Sequence, residues 1–108
     1  MAFREGLYKV EFSTQRGLGA GVAVLLDGKI RGGDSSMYYV GSYKLNGDAF
    51  NAEVAVKRHA PGLQSVFGID EVTIQLSGRI AGDSGALEGR AKEIPTASFR
   101  ATLKRISD

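Results

Sequence analysis

The chain has 108 residues with 14 Lys and Arg against 12 Asp and Glu, and 43% of it is hydrophobic. That is enough to bury the core of one small domain without covalent staples. Zero cysteine excludes a disulfide framework, a thiolate metal site and a cysteine nucleophile, and a net charge of +2 falls short of the dense basic patch that holds phosphates.

Glycine is over-represented at 15 residues, about twice its usual share, so its positions need explaining. At the start of the chain, Arg4 and Glu5 form a charge pair where a secretory leader needs an apolar stretch. The most apolar run, Val22–Leu26, is far shorter than the roughly 20 residues that cross a bilayer. The expectation is a cytoplasmic protein with no membrane partner.

Period-two alternation then recurs along the chain. It is present over Leu7–Ser13, weaker over Ala20–Leu26, Lys29–Gly33 and Met37–Leu45, and clear again over Phe50–Lys57. The cleanest run is Glu71–Ile80, where Val72, Ile74, Leu76 and Ile80 are apolar and Glu71, Thr73, Gln75, Ser77 and Arg79 are polar. Ala86–Ile94 and Ser98–Ile106 complete eight strands. Between them lie Arg16-Gly17, Asp27-Gly28, Asn46-Gly47 and Gly82-Asp83-Ser84-Gly85, the residue types that tight hairpins demand.

Eight short strands joined mostly by hairpins predict an all-β, up-and-down antiparallel β-barrel over residues 1–108, with a two-sheet sandwich as the alternative. Gly41, Gly78 and Gly89 then permit the coiling of a small barrel. One connection, His59–Asp70, is too long for a hairpin and carries Leu63, Val66 and Phe67. It is expected to fold over one mouth as a plug.

Motifs of chemical interest are few. Gly82-Asp83-Ser84-Gly85 matches the surroundings of a protease serine, and His59, Asp70 and Ser84 follow the chain order of such a triad, yet the segment sits where a turn belongs. Gly17-Leu18-Gly19-Ala20-Gly21 has neither the spacing nor the following helix of a dinucleotide fingerprint. His59 is the lone histidine, which removes multi-histidine metal sites. Glu5, Glu11 and Glu53 are the carboxylates that neighbouring strands could bring together. Arg90, Lys92, Arg100 and Lys104 alternate into a basic stripe if their strands pair. The chain is expected to be no enzyme, with no cofactor and no direct nucleic-acid contact.

Two apolar sets remain. Val22, Val24, Tyr39 and Tyr43 lie in strands that are apolar on both faces, which predicts an outer face covered by a second copy of the chain. Val10, Phe12, Phe50, Val54, Ile74, Leu76, Phe99 and Leu103 are the predicted lining of the barrel interior, with Phe67 as the plug over it.

The order of several short segments resembles the GrlR-like family, small bacterial proteins described as negative regulators of type III secretion genes. The matching residues are Gly6-Leu7-Tyr8, Gly19-Ala20-Gly21 with Asp27-Gly28, Gly32-Gly33-Asp34, Tyr39-Val40-Gly41, Arg58-His59, Pro61 and Ser65-Val66, within roughly residues 6 to 105. The resemblance implies a small eight-stranded, lipocalin-like barrel with an apolar cavity, a plug-like loop and a homodimer. It also implies a non-enzymatic role, the binding and sequestration of a transcriptional activator through an acidic run in the hairpin after the Tyr-x-Gly strand. That position here reads Leu45-Asn46-Gly47-Asp48, with one acid. The alternative expectation is a carrier holding an apolar ligand such as an acyl chain.

Overall fold

The two-residue period organises the whole molecule. The computed structural model describes residues 3–14, 17–61 and 71–108, with the backbone alone at 94–97. In chain order the strands are β1 (Gly6–Thr14), β2 (Gly17–Leu26), β3 (Lys29–Gly33) and β4 (Met37–Asn46), then β5 (Ala49–Arg58), β6 (Glu71–Ala81), β7 (Ser84–Ala91) and β8 (Ile94–Ser107). Each pairs antiparallel with the next, and β1 returns onto β8 through Val10↔Leu103 and its neighbours. The barrel is therefore closed, which removes the two free edges of an open sheet and decides between barrel and sandwich.

The turns follow their residues, with one shift. Asp27 and Gly28 both take positive φ, 53° and 76°, as a type I′ hairpin requires. The next turn falls one residue later than expected. Asn46 is still in the ladder opposite Ala49, so Gly47 and Asp48 form the loop, with positive φ at Gly47 alone (63°). Gly82-Asp83 repeats this arrangement between the paired Ala81 and Ser84. Both loops have the glycine-first pattern of type II′ turns, so the protease-like motif is a hairpin here. Ser84 also stands a full β6 length, roughly 30 Å, from the end of the barrel where His59 follows β5.

Side chains enter the barrel at alternate positions. In β4, Met37, Tyr39 and Tyr43 are buried, whereas Tyr38 and Val40 face outward. This corrects the assignment of Tyr39 and Tyr43 to an outer dimer face. The β4–β5 register sets Tyr39 opposite Val56 and Tyr43 opposite Ala52, both of which point inward, and directly opposed residues share a face. Val22 and Val24 do point outward.

One end of the barrel is filled by rings. Phe3 stacks on Tyr8 at 5.9 Å and meets Tyr43 edge-on at 5.5 Å, and Tyr43 stacks on Phe50 at 5.2 Å. The Tyr8 hydroxyl donates to the Arg4 carbonyl, so its polar end is satisfied where the ring is fully buried. The plug expected of Leu63, Val66 and Phe67 lies outside the described residues.

Candidate functional site

Inward residues of all eight strands surround a cavity of about 310 Å³. Its lining includes Val10 and Phe12 from β1, Phe50 and Val54 from β5, Ile74 and Leu76 from β6, and Phe99 and Leu103 from β8. These are the residues that the strand alternation assigned to the interior, apart from Phe67, which lies outside the described residues. Ala23, Leu25, Ile30, Met37, Val56, Leu87 and Ala101 complete the apolar wall.

The small residues of β2 make room for side chains that other strands send into the barrel. The inward positions of that strand read Gly19, Gly21, Ala23 and Leu25, a taper from no side chain to a large one. The Phe12 ring lies over Gly19, and the Tyr39 hydroxyl lies 2.6 Å from where a Cβ on Gly21 would sit. Tyr39 is thereby accommodated across the barrel against the backbone of β2.

The cavity has one polar end, at the short connection between β3 and β4. There Asp34, Ser35, Ser36 and Tyr39 join the lining. Asp34 Oδ1 accepts the backbone N–H groups of Ser36 (3.0 Å) and Met37 (2.8 Å), the geometry of an Asx turn. Its Oδ2 accepts the Tyr39 hydroxyl. His59 is tied to the same connection, with its N–H on the Ser36 carbonyl at 2.9 Å and its Nε2 3.0 Å from the Asp34 carbonyl. Partial burial resists ionisation of Asp34, but the hydrogen bonds from Tyr39, Ser36 and Met37 outweigh it and hold the carboxyl below its ordinary range. Burial, then the bond to Asp34 and its charge, push the Tyr39 phenol far above its ordinary value. At neutral pH the pair is a carboxylate and a neutral phenol. Phe12 meets Tyr39 edge-on at 6.2 Å and stacks with Phe99 at 5.9 Å, so this polar end is bordered by rings.

The sequence reading missed Asp34 and the inward Tyr39 as site residues. The signal was present in β4: the set Tyr38, Val40, Ser42, Lys44 contains a serine and a lysine, whereas Met37, Tyr39, Gly41, Tyr43 contains no charge.

The remaining candidates do not converge. Glu5 accepts the Asp27 N–H, Glu11 pairs with Lys9, and Glu53 pairs with Lys92. Among the described residues no group of three or more His, Asp and Glu is placed to hold a metal ion. The basic stripe on β7 and β8 is interrupted, since Arg100 pairs with Glu88 and Lys92 leans to Glu53. Compared with known protein families and with curated protein sequences, the chain matches none.

Proposed function

We propose that the barrel is a non-enzymatic binder of a small apolar molecule held in its central cavity. The observation that carries this reading is the cavity itself. At 310 Å³ it has the volume of a small-molecule site, and its wall is aliphatic and aromatic away from the Asp34 end. A ligand that fills the space replaces solvent against this apolar wall and stabilises the fold by mass action.

The test is to fill the cavity from within. Ala101 is buried in the lining, and Ala101→Leu places three further carbons in the space. The wild type is expected to bind the uncharged fluorophore N-phenyl-1-naphthylamine and to melt at higher temperature with it. Ala101→Leu is expected to fold with unreduced thermal stability and to bind the probe at least tenfold more weakly. A wild type that neither brightens the probe nor gains stability from it would overturn the reading.

A second reading, a homodimeric interaction protein of the GrlR-like kind, is favoured by the outer face of β2 and β4. Val22, Val24, Leu26, Tyr38 and Val40 stand exposed there. The hairpin that corresponds to the family's acidic run offers Asp48 alone, and Asp48 Oδ1 is engaged by Arg79 at 2.7 Å. Self-association is therefore better supported than sequestration of an activator through that hairpin.

A further inference from the structure

We infer that the cavity selects the polar end of its ligand, accepting a hydrogen-bond donor such as a hydroxyl or an ammonium and excluding a carboxylate. This inference rests on the cavity reading above and adds the chemical class of the ligand.

The argument begins with the charge in the wall. Among the described lining residues, Asp34 is the one ionisable group that carries charge at neutral pH, and no lysine, arginine or histidine accompanies it. Its ionised state is built in, because two backbone N–H groups and the Tyr39 hydroxyl all donate to it. A carboxylate offers about four lone-pair sites, so three donors leave one acceptor site, on Oδ2. Tyr39 spends its proton on Asp34, which leaves the phenol oxygen as an acceptor too. The backbone carbonyls nearby are also acceptors, and those of Asp34 and Ser36 already face His59. The polar end of the cavity is thus rich in acceptors and negatively charged.

An apolar chain with a donor at its end completes this arrangement, satisfying Asp34 Oδ2 or the Tyr39 oxygen. A ligand carboxylate brings a second negative charge beside the part-buried Asp34, with no cation among the described lining residues to offset it. Like charges a few ångströms apart in such surroundings weaken binding by roughly 10- to 100-fold. The same geometry separates an alkyl alcohol or amine from a fatty acid of equal length, whose tails are identical.

The test measures displacement of N-phenyl-1-naphthylamine from the wild-type protein by 1-decanol, decylamine and decanoate near neutral pH. Decanol and decylamine are expected to displace the probe, and decanoate at least tenfold more weakly. Decanoate competing as well as decanol would overturn the donor selection while leaving the cavity reading intact. Failure of the probe and of all three compounds to bind would overturn both. Asp34→Asn removes the charge at nearly constant shape and is expected to bring decanoate to within threefold of decanol. Should that variant fold and still exclude decanoate, the assignment to Asp34 is overturned. Should it fail to fold, the wild-type comparison decides.

Discussion

Tyr39 donates to Asp34 from inside the barrel, and the two groups are displaced from their ordinary titrations in opposite directions. For Asp34 the folded-state pKa is lowered below 3.8. Its contribution is therefore present above that value and lost as pH falls through the folded pKa. For Tyr39 the folded-state pKa is raised above 10.0, so its contribution is full below pH 10 and declines above it, as the unfolded chain ionises first. Tyr39→Phe keeps the ring and removes the donor, leaving Asp34 Oδ2 short of a partner. The expected loss near neutral pH is about 1–3 kcal/mol, the range for a hydrogen bond to a charged group and its unsatisfied remainder. Urea midpoints across the pH range should also show a flatter acid limb than the wild type. The alkaline limb should shrink but persist, because burial raises Tyr8 and Tyr43 as well. A Tyr39→Phe curve that runs parallel to the wild type at both ends would contradict this account.

At the scale of elements, two glycines do different work and should fail differently. Gly47 heads a hairpin loop at φ 63° with open space around its Cβ direction. Replacing it with alanine strains one torsion, at about 1–2 kcal/mol. Gly89 lies in β7 opposite Phe99, and a Cβ there would strike the Gln75 carbonyl of β6. The obstacle is backbone, so Gly89→Ala must push β7 away from β6, and its urea midpoint should fall below that of Gly47→Ala. The reverse order would show that the wall yields more easily than the turn. That a hairpin falls at Gly47 was legible in the sequence, since Asn46-Gly47 lies between alternating runs, but its frame was not, because Asn46 stays in the ladder and Gly47-Asp48 form the loop. The role of Gly89 was legible in kind, as interior glycines imply tight coiling, but which carbonyl each accommodates depends on register. Register also explains the misplacement of Tyr39 and Tyr43. Both faces of β4 carry aromatic or aliphatic residues, so the sign of which side is inside rests on two residues alone, Ser42 and Lys44, at the end of the strand. Pairing with β5 settles it, and that pairing is set by the whole barrel. In β6 the polar and apolar sets separate cleanly, and there the inward Ile74 and Leu76 were readable from the chain alone.

For the whole molecule, closure of the barrel settles the sheet edges but leaves one apolar outer face. Val24 of β2 and Val40 of β4 flank Arg31 of β3 in one cross-strand row, and Val22 and Tyr38 flank Gly33 in the next. The exposed Arg31 donates from its guanidinium to the Ile30 carbonyl at 2.9 Å, which draws its cation back toward the sheet. A two-fold axis over β3 would let each copy bury the other's exposed Val22, Val24, Tyr38 and Val40. Under the second reading, light scattering should give the wild type twice the chain mass at micromolar concentration. Val24→Glu and Val40→Glu should each shift it toward a single chain while the β-sheet spectrum persists. Thr102→Glu, exposed on β8 across the barrel, should leave it dimeric. Tyr39→Glu belongs to a different class. It would bury a carboxylate beside Asp34, and its expected result is loss of the folded spectrum rather than separation of folded subunits. A wild type of single-chain mass, or a Val24→Glu and Val40→Glu pair that stays dimeric, would remove the β2–β4 face from consideration as a contact between copies.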